Sequence, residues 1–382
     1  MNYPKIPNNP NFSSGPCSKF NGWSINDLRN SFLGRSHRSK EGKLRLQNAI
    51  NETGELLKLP KDYILGIVPG SNTGALEIAL WNILGQRGVD VLAWDSFGLD
   101  WVNDIVHQLS LSNTRVLKAE YGLIPNLKSV NFSNDVVFTW NGTSSGVCIP
   151  DADWIDKNRE GLTICDATSA VFAMDINWKK IDVASFSWQK ALGGEAAHGM
   201  LVLSPRAIKR INEHTPKWPV PKLFNLKKKG KLDLGIFEGL TINTPSMLVV
   251  EDWINIIKWA NSKGGLNFLK KKTKENFNIV SKFCEKNNWI DFLAEDKLTR
   301  SSTSVCLKII DPWFSSLNEF EQNEFVSKLI KDLEDRRVAF DIKSYRTAPL
   351  GLRIWCGPTI EQNDLICLME CLKYSWESLG KK

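Results

Sequence analysis

The residue with the clearest chemical potential is a lysine that follows a short apolar run. Residues 181–194 read IDVASFSWQKALGG, in which Val183, Ala184 and Phe186 predict a buried strand and Lys190 precedes a small Gly-rich turn. In partly desolvated surroundings an ammonium gives up its proton more readily. The neutral amine is then a nucleophile or base, as Schiff-base chemistry requires. Taken alone, the position more often belongs to a strand-end lysine that reaches solvent, so its partners decide.

Asp166 closes LTICDAT upstream of Lys190. A carboxylate there can cap a helix. Beside a reactive amine it also suits a second task, holding the protonated ring nitrogen of a pyridinium cofactor so that the ring stays an effective electron sink. Gly70-Ser71-Asn72-Thr73-Gly74 joins a predicted strand to a predicted helix, where backbone N–H groups and hydroxyls can cradle a phosphate. It is neither a Walker loop nor GxGxxG, and a plain turn would explain it equally. Thr143, in WNGTSSG (140–146), offers a hydroxyl at another strand end. Phe97, after VLAWDS, could stack on a planar ring or serve as an ordinary core aromatic.

These residues need a scaffold that gathers strand ends. From about residue 63 the chain alternates predicted strands (63–69, 89–94, 135–140, 162–167, 183–188, 199–204) with helical pattern, including 75–84. That alternation predicts a mostly parallel sheet flanked by helices, with ligands at the carboxyl ends of its strands. Ahead of it lie an extended arm to about residue 34 and an amphipathic helix at 41–57. Behind it, two helices within 245–287 break at Gly264-Gly265. A strand (TSVCLKII), a helix (319–334), two strands (RRVAFDI and LGLRIWC) and a helix (361–377) follow. The division expected is an N-terminal arm (1–34), a large α/β domain (35–260) and a smaller C-terminal α+β domain (261–382).

Composition narrows the class. With 42% hydrophobic and 24% charged residues among 382, the chain is an ordinary globular one. No apolar run spans a bilayer and no signal-peptide core opens the chain, so a cytoplasmic protein with no membrane partner is expected. Eight scattered cysteines form no CxxC pairs, which argues against a metal centre or a disulfide scaffold. The net charge of +7 is densest in KLFNLKKKGK (222–231). That stretch lacks interleaved aromatics, so it reads as a solvated loop and not a nucleic-acid site. A positive balance also suits anionic substrates.

Further segments carry a resemblance over nearly the whole length: NFSSGPC (11–17), Ser36-His37-Arg38-Ser39, DATSA, SWQKALGG, Ile242-Asn243-Thr244-Pro245 and GLRIWCGP. Together they resemble the fold-type I, class V pyridoxal 5′-phosphate-dependent aminotransferases, and among them the branch that acts on phosphoserine. The resemblance implies that Lys190 is the Schiff-base lysine and proton shuttle. It gives Asp166 the pyridinium nitrogen, Thr143 the ring hydroxyl and Phe97 the ring face. Ser71, Asn72, Thr73 and Gln189 fall at the cofactor phosphate. Asn243 and Thr244 reach that phosphate from a neighbouring subunit, which implies a homodimer with shared active sites. Arg353 is implied as the fork that grips the substrate carboxylate, and His37, Arg38 and Arg346 as the groups on the substrate phosphate.

The implied reaction is reversible transamination of 3-phosphoserine with 2-oxoglutarate, giving 3-phosphohydroxypyruvate and glutamate on the route to serine. Some relatives also take a phosphorylated threonine analogue in pyridoxine synthesis. Two positions depart from the common pattern: Thr73 stands where many members have arginine, and Tyr345 where many have histidine. Both lower the positive charge offered to a phosphate, which leaves a serine- or alanine–glyoxylate type aminotransferase as the alternative. Gln189 before the lysine argues against a cysteine desulfurase. The presence of both Lys190 and Asp166 argues against a non-catalytic binding protein.

Overall fold

The computed structural model describes residues 3–380. An irregular arm leads to helix α1 (Lys40–Leu56), capped by Ser39, whose hydroxyl accepts from the Gly42 N–H at 3.1 Å. Strands β1 (Ile64–Pro69), β2 (Val89–Ala93), β3 (Thr114–Lys118) and β4 (Asp135–Thr139) follow in turn. A two-residue pair, β5 (Asn141–Gly142) and β6 (Val147–Cys148), comes next, and then β7 (Thr163–Asp166), β8 (Val183–Ser187) and β9 (His198–Leu203). Apart from the β5–β6 pair these strands form one seven-stranded sheet in the order β1-β9-β8-β7-β4-β2-β3. Strands β3, β2, β4, β7 and β8 pair in parallel, while β9 runs against both its neighbours.

The sheet's apolar runs are continuous because both faces are covered. Along β4, Val136 and Phe138 enter one core and Val137 the opposite one. Helix α2 (Ser71–Ile83) packs in the second core, with Trp101 of α3 (Ser96–Asn103) and Ile211 of α4 (Pro205–Glu213). The hairpin β10 (Lys227–Lys228) and β11 (Lys231–Leu232) precedes α5 (Met247–Ser262) and α6 (Gly265–Lys286), which break at the expected glycines. A three-stranded antiparallel sheet is made by β12 (Ile290–Phe292), β13 (Ser304–Ile309) and, after α7 (Pro312–Ser316) and α8 (Glu319–Asp335), β14 (Leu352–Trp355). Helix α9 (Gln362–Leu379) closes the chain's described part.

Some expectations are corrected. Helix α2 starts at Ser71, so the expected turn is the helix's own first turn. The strand expected over RRVAFDI does not form, because Arg337 and Asp341 take left-handed backbone (φ 56° and 59°). That segment instead makes single bonds, from the Phe340 N–H to the Pro10 carbonyl at 2.8 Å and from the Arg353 N–H to the Ile342 carbonyl at 2.7 Å. Strand β3 escapes a reading by apolar runs because it is a charged, half-exposed edge. The basic stretch 222–231 is exposed over most of its length, as expected, but it is ordered into a short turn and a hairpin whose apolar side chains anchor it. Leu226 and Leu232 are buried, Asn82 donates to the Phe224 carbonyl at 2.7 Å, and Asn212 accepts from the Leu232 N–H at 2.8 Å.

Candidate active site

The two edges of the large sheet treat carboxylates differently. At the amino ends of the strands they are neutralised within the fold: Asp135 receives both Arg210 nitrogens, at 2.8 and 3.2 Å, and Asp182 receives Arg159 and Arg206 at 3.0 and 2.9 Å. At the carboxyl ends, Asp166 and Asp95 are buried with no ion-pair partner among the described residues, and Asp166 lines a pocket of about 300 Å³.

Eight of the expected residues line that pocket: Ser71, Asn72, Thr73, Phe97, Thr143, Asp166, Gln189 and Lys190. Each comes from the end of an element. The first three open α2, whose first N–H groups have no intrahelical partner, and Gly70 before them has no side chain to cap them. Phe97 sits in the first turn of α3, whose N-cap is Asp95. That carboxylate accepts from the Gly98 N–H at 2.8 Å and the Ser144 hydroxyl at 3.1 Å, tying α3 to the Thr143 loop. Burial raises the Asp95 pKa to about 6.

Asp166 ends β7, accepts from the Thr168 N–H at 3.0 Å and from the Trp101 indole at 3.3 Å. Burial raises its pKa, and these hydrogen bonds, with one from Asn72, work against that rise. Lys190 donates to the Ser14 carbonyl of the N-terminal arm. Its pKa is lowered, first by burial and also by the positive charge of Arg353, while Asp166 and Asp95 oppose the shift. The arm comes close enough that a β-carbon at Gly15 would lie 2.2 Å from the Lys190 nitrogen. Gly15 also takes φ 147°, a backbone conformation that residues with a side chain rarely adopt.

The pocket suits a polar ligand, and the uncapped first turn of α2 offers N–H groups to an anion. Asn72 Oδ1, Thr139 Oγ1 and Asn141 Oδ1 line it and are buried without hydrogen-bond partners, so it holds polar capacity the protein leaves unused. Trp101, Asn141 and Ser169 were missed by sequence reasoning. Thr143 donates to Ser169 at 2.8 Å, and Asn141 reaches Ser169 and Thr303 at 2.8 and 3.0 Å. No periodicity or spacing in the sequence marks such a network, because its members come from separate loops.

Six further residues lie outside this pocket. Arg353, on β14, has a guanidinium 5.4 Å from the Tyr345 ring and a buried Nε without a partner. Tyr345 packs at 5.5 Å against Phe97, and the exposed Arg346 lies 5.8 Å from the same tyrosine. Asn243 and Thr244 are exposed on the loop before α5. The Ser246 N–H of that loop donates to His198 Nε2 at 3.1 Å. His37 and Arg38 line a separate cavity.

A sheet of this order, with a lysine and a carboxylate at neighbouring strand ends and a small antiparallel sheet after it, is the architecture of the fold-type I pyridoxal-phosphate-dependent aminotransferases. A solved phosphoserine aminotransferase from Cytophaga hutchinsonii superposes with a TM-score of 0.79, covering 97% of this chain and 99% of its own at 21% identity. An alanine–glyoxylate aminotransferase from Nostoc gives 0.77 over 98% and 97% at 14% identity, so the fold alone does not separate substrates. Sequence does separate them. A phosphoserine aminotransferase of Methanosarcina mazei is 58% identical over 373 residues, 98% of each chain, and one of Methanosarcina barkeri is 57% identical over 372 residues, 97% of this chain and 98% of its own. No protein-family model matches the chain. The chain belongs to the phosphoserine aminotransferase family.

Proposed function

We propose that the chain catalyses reversible transamination of 3-phosphoserine with 2-oxoglutarate, giving 3-phosphohydroxypyruvate and glutamate, in cytoplasmic serine synthesis. The observation that carries this reading is the meeting of Lys190, Asp166 and Phe97 in one pocket, in a chain 58% identical to a relative bearing that name. Among the described residues no helix is long and apolar enough to cross a membrane.

Pyridoxal phosphate, when bound, supplies the electron sink for charge developing at the substrate's Cα. Asp166 would hold its ring nitrogen, Thr143 its ring hydroxyl and Phe97 one ring face, while Ser71, Asn72, Thr73 and Gln189 would take its phosphate. Lys190, whose pKa burial lowers, would remove the Cα proton. Arg353 would orient the substrate through its carboxylate, and His37 and Arg38, with Arg346, would hold its phosphate. The arm at Ser14–Gly15 covers the lysine and limits water. Exposure of Asn243 and Thr244 supports a homodimer in which that loop completes the partner's site.

The test is a half-reaction on purified holoenzyme, read from the visible absorbance. Phosphoserine and glutamate should change the spectrum quickly, and serine or alanine slowly. Fast change with serine or alanine would move the protein to the glyoxylate branch, whose structures share this fold.

A further inference from the structure

Arg353 is a charge with little to steady it. Its backbone is fixed, since β14 sets it opposite Cys306 of β13 and its N–H donates to the Ile342 carbonyl at 2.7 Å. Its side chain is not fixed by ions. Arg300 pairs with Asp291 and Arg336 with Asp332, whereas Arg353 has no carboxylate partner among the described residues, and its buried Nε has no hydrogen-bond partner. Its charge acts on the thiols of Cys17 and Cys306, but burial pushes both up to about 12. They stay neutral and give it no counter-charge.

What the guanidinium does meet is an aromatic ring. It lies 5.4 Å from the centre of Tyr345, within the distance at which a cation is drawn to an electron-rich face. The ring is itself held in place. Residues 343–352 fold back on themselves: Lys343 bridges Leu352, the Ser344 N–H donates to the Gly351 carbonyl at 3.1 Å, and the Ala348 N–H donates to the Tyr345 carbonyl at 2.9 Å. The Tyr121 and Thr347 hydroxyls, 3.1 Å apart, tie this turn to the segment after β3. The same ring packs at 5.5 Å against Phe97, which lines the Lys190 pocket. Tyr345 therefore touches both the arginine and a wall of that pocket. Arg346 lies 5.8 Å from the ring as well, but it is exposed, so solvent screens what the ring offers it.

We propose that Tyr345 is a positioning residue for the reaction. Its ring steadies the Arg353 guanidinium for the substrate carboxylate and, by packing on Phe97, fixes the spacing between that arginine and the pocket wall. A fork that must make two parallel bonds loses its match when it swings, and a long arginine side chain has much rotamer freedom to lose. A ring that holds the fork before substrate arrives lowers that cost. The inference rests on the transamination reading given above, in which Arg353 meets the carboxylate that both substrates share.

The experiment compares wild-type holoenzyme with Tyr345→Leu, which removes the ring, and with Tyr345→Phe, which keeps it. Affinity for glutarate, a dicarboxylate with no amine to react, is measured by calorimetric titration. The half-reaction is followed with glutamate and with phosphoserine. Tyr345→Leu should bind glutarate about fivefold more weakly and raise KM for both amino acids by about the same factor, with kcat within about twofold of wild type. Tyr345→Phe should match wild type in every reading. Tyr345→Met is a second variant without the ring, read in the same way should the leucine variant not fold. Unchanged glutarate affinity without the ring would overturn the proposal while leaving transamination intact. Equal losses in the leucine and phenylalanine variants would also overturn it, because the hydroxyl and not the ring face would then be at work. A loss confined to phosphoserine would overturn it in favour of a contact with the phosphate. A wild type that binds no glutarate and gives no half-reaction with glutamate would end the transamination reading, and this proposal with it.

Discussion

Lys190 is difficult to keep charged where the fold holds it, because burial and the neighbouring Arg353 both push its pKa down. A base of that kind is lost with its nitrogen: Lys190→Ala should cut turnover by at least about a thousandfold, checked by the half-reaction on protein incubated with cofactor. Asp166 has the opposite problem, since burial favours its neutral form in the absence of a cation. Asp166→Asn keeps the shape and most of the hydrogen bonds but cannot carry negative charge. It should bind pyridoxal phosphate yet exchange the Cα proton about a hundredfold more slowly, measured by loss of the substrate's deuterium label; an unchanged rate would mean the carboxylate does not face the ring. Both residues were legible in the sequence, because each ends an apolar strand. Trp101 and Ser169 were not, because their importance lies in what they touch, and nothing local in the sequence records it.

At the scale of elements, the site depends on segments that look unimportant in isolation. The N-terminal arm carries no long regular element before α1, yet its Cys17 N–H donates to the Gln189 carbonyl at 2.8 Å and its Phe12 carbonyl accepts from the Trp355 N–H at 3.0 Å. It thereby stitches the small sheet to the lysine's strand end, which the reading of residues 1–34 as a separate extended arm did not convey. His198, at the start of β9, similarly anchors the loop bearing Asn243 and Thr244. Its Nε2 accepts a proton bond from Ser246, so the protonated form is disfavoured, and burial lowers its pKa to about 4. The unfolded chain takes up that proton near pH 6.5 and the folded chain only near pH 4. Stability is therefore lost as pH falls through this window, by on the order of 3 kcal/mol at its end. His198→Gln keeps an acceptor and removes the titration. The difference in denaturant midpoint between wild type and this variant should change between pH 7 and pH 4.5 in the variant's favour; a constant difference would show that His198 is not the titrating group.

For the whole molecule, the residues assigned by resemblance do not all meet in one cavity. Eight line the Lys190 pocket, Arg346 and Arg353 lie by Tyr345, His37 and Arg38 line a separate cavity, and Asn243 and Thr244 are exposed on the loop before α5. The alternation of strands and helices made the large sheet legible, since a doubly covered parallel sheet needs continuous apolar runs. It said nothing of His37, Arg38, Asn243 and Thr244, which lie on loops before α1 and α5 and end no strand, so only the resemblance marked them. If the site is shared between two copies, inactive variants should complement each other. In a mixed dimer of Lys190→Ala with Asn243→Ala/Thr244→Ala, one site combines both defects and the other has neither. Random reassociation makes about half of the dimers mixed, so the mixture should regain about a quarter of wild-type activity although each variant alone is inactive. The check is to mix the two after mild dissociation and assay against unmixed controls. No recovery, with mixed dimers demonstrated by differential tagging, would mean that each chain builds its site alone and that the exposed Asn243–Thr244 loop serves some other contact.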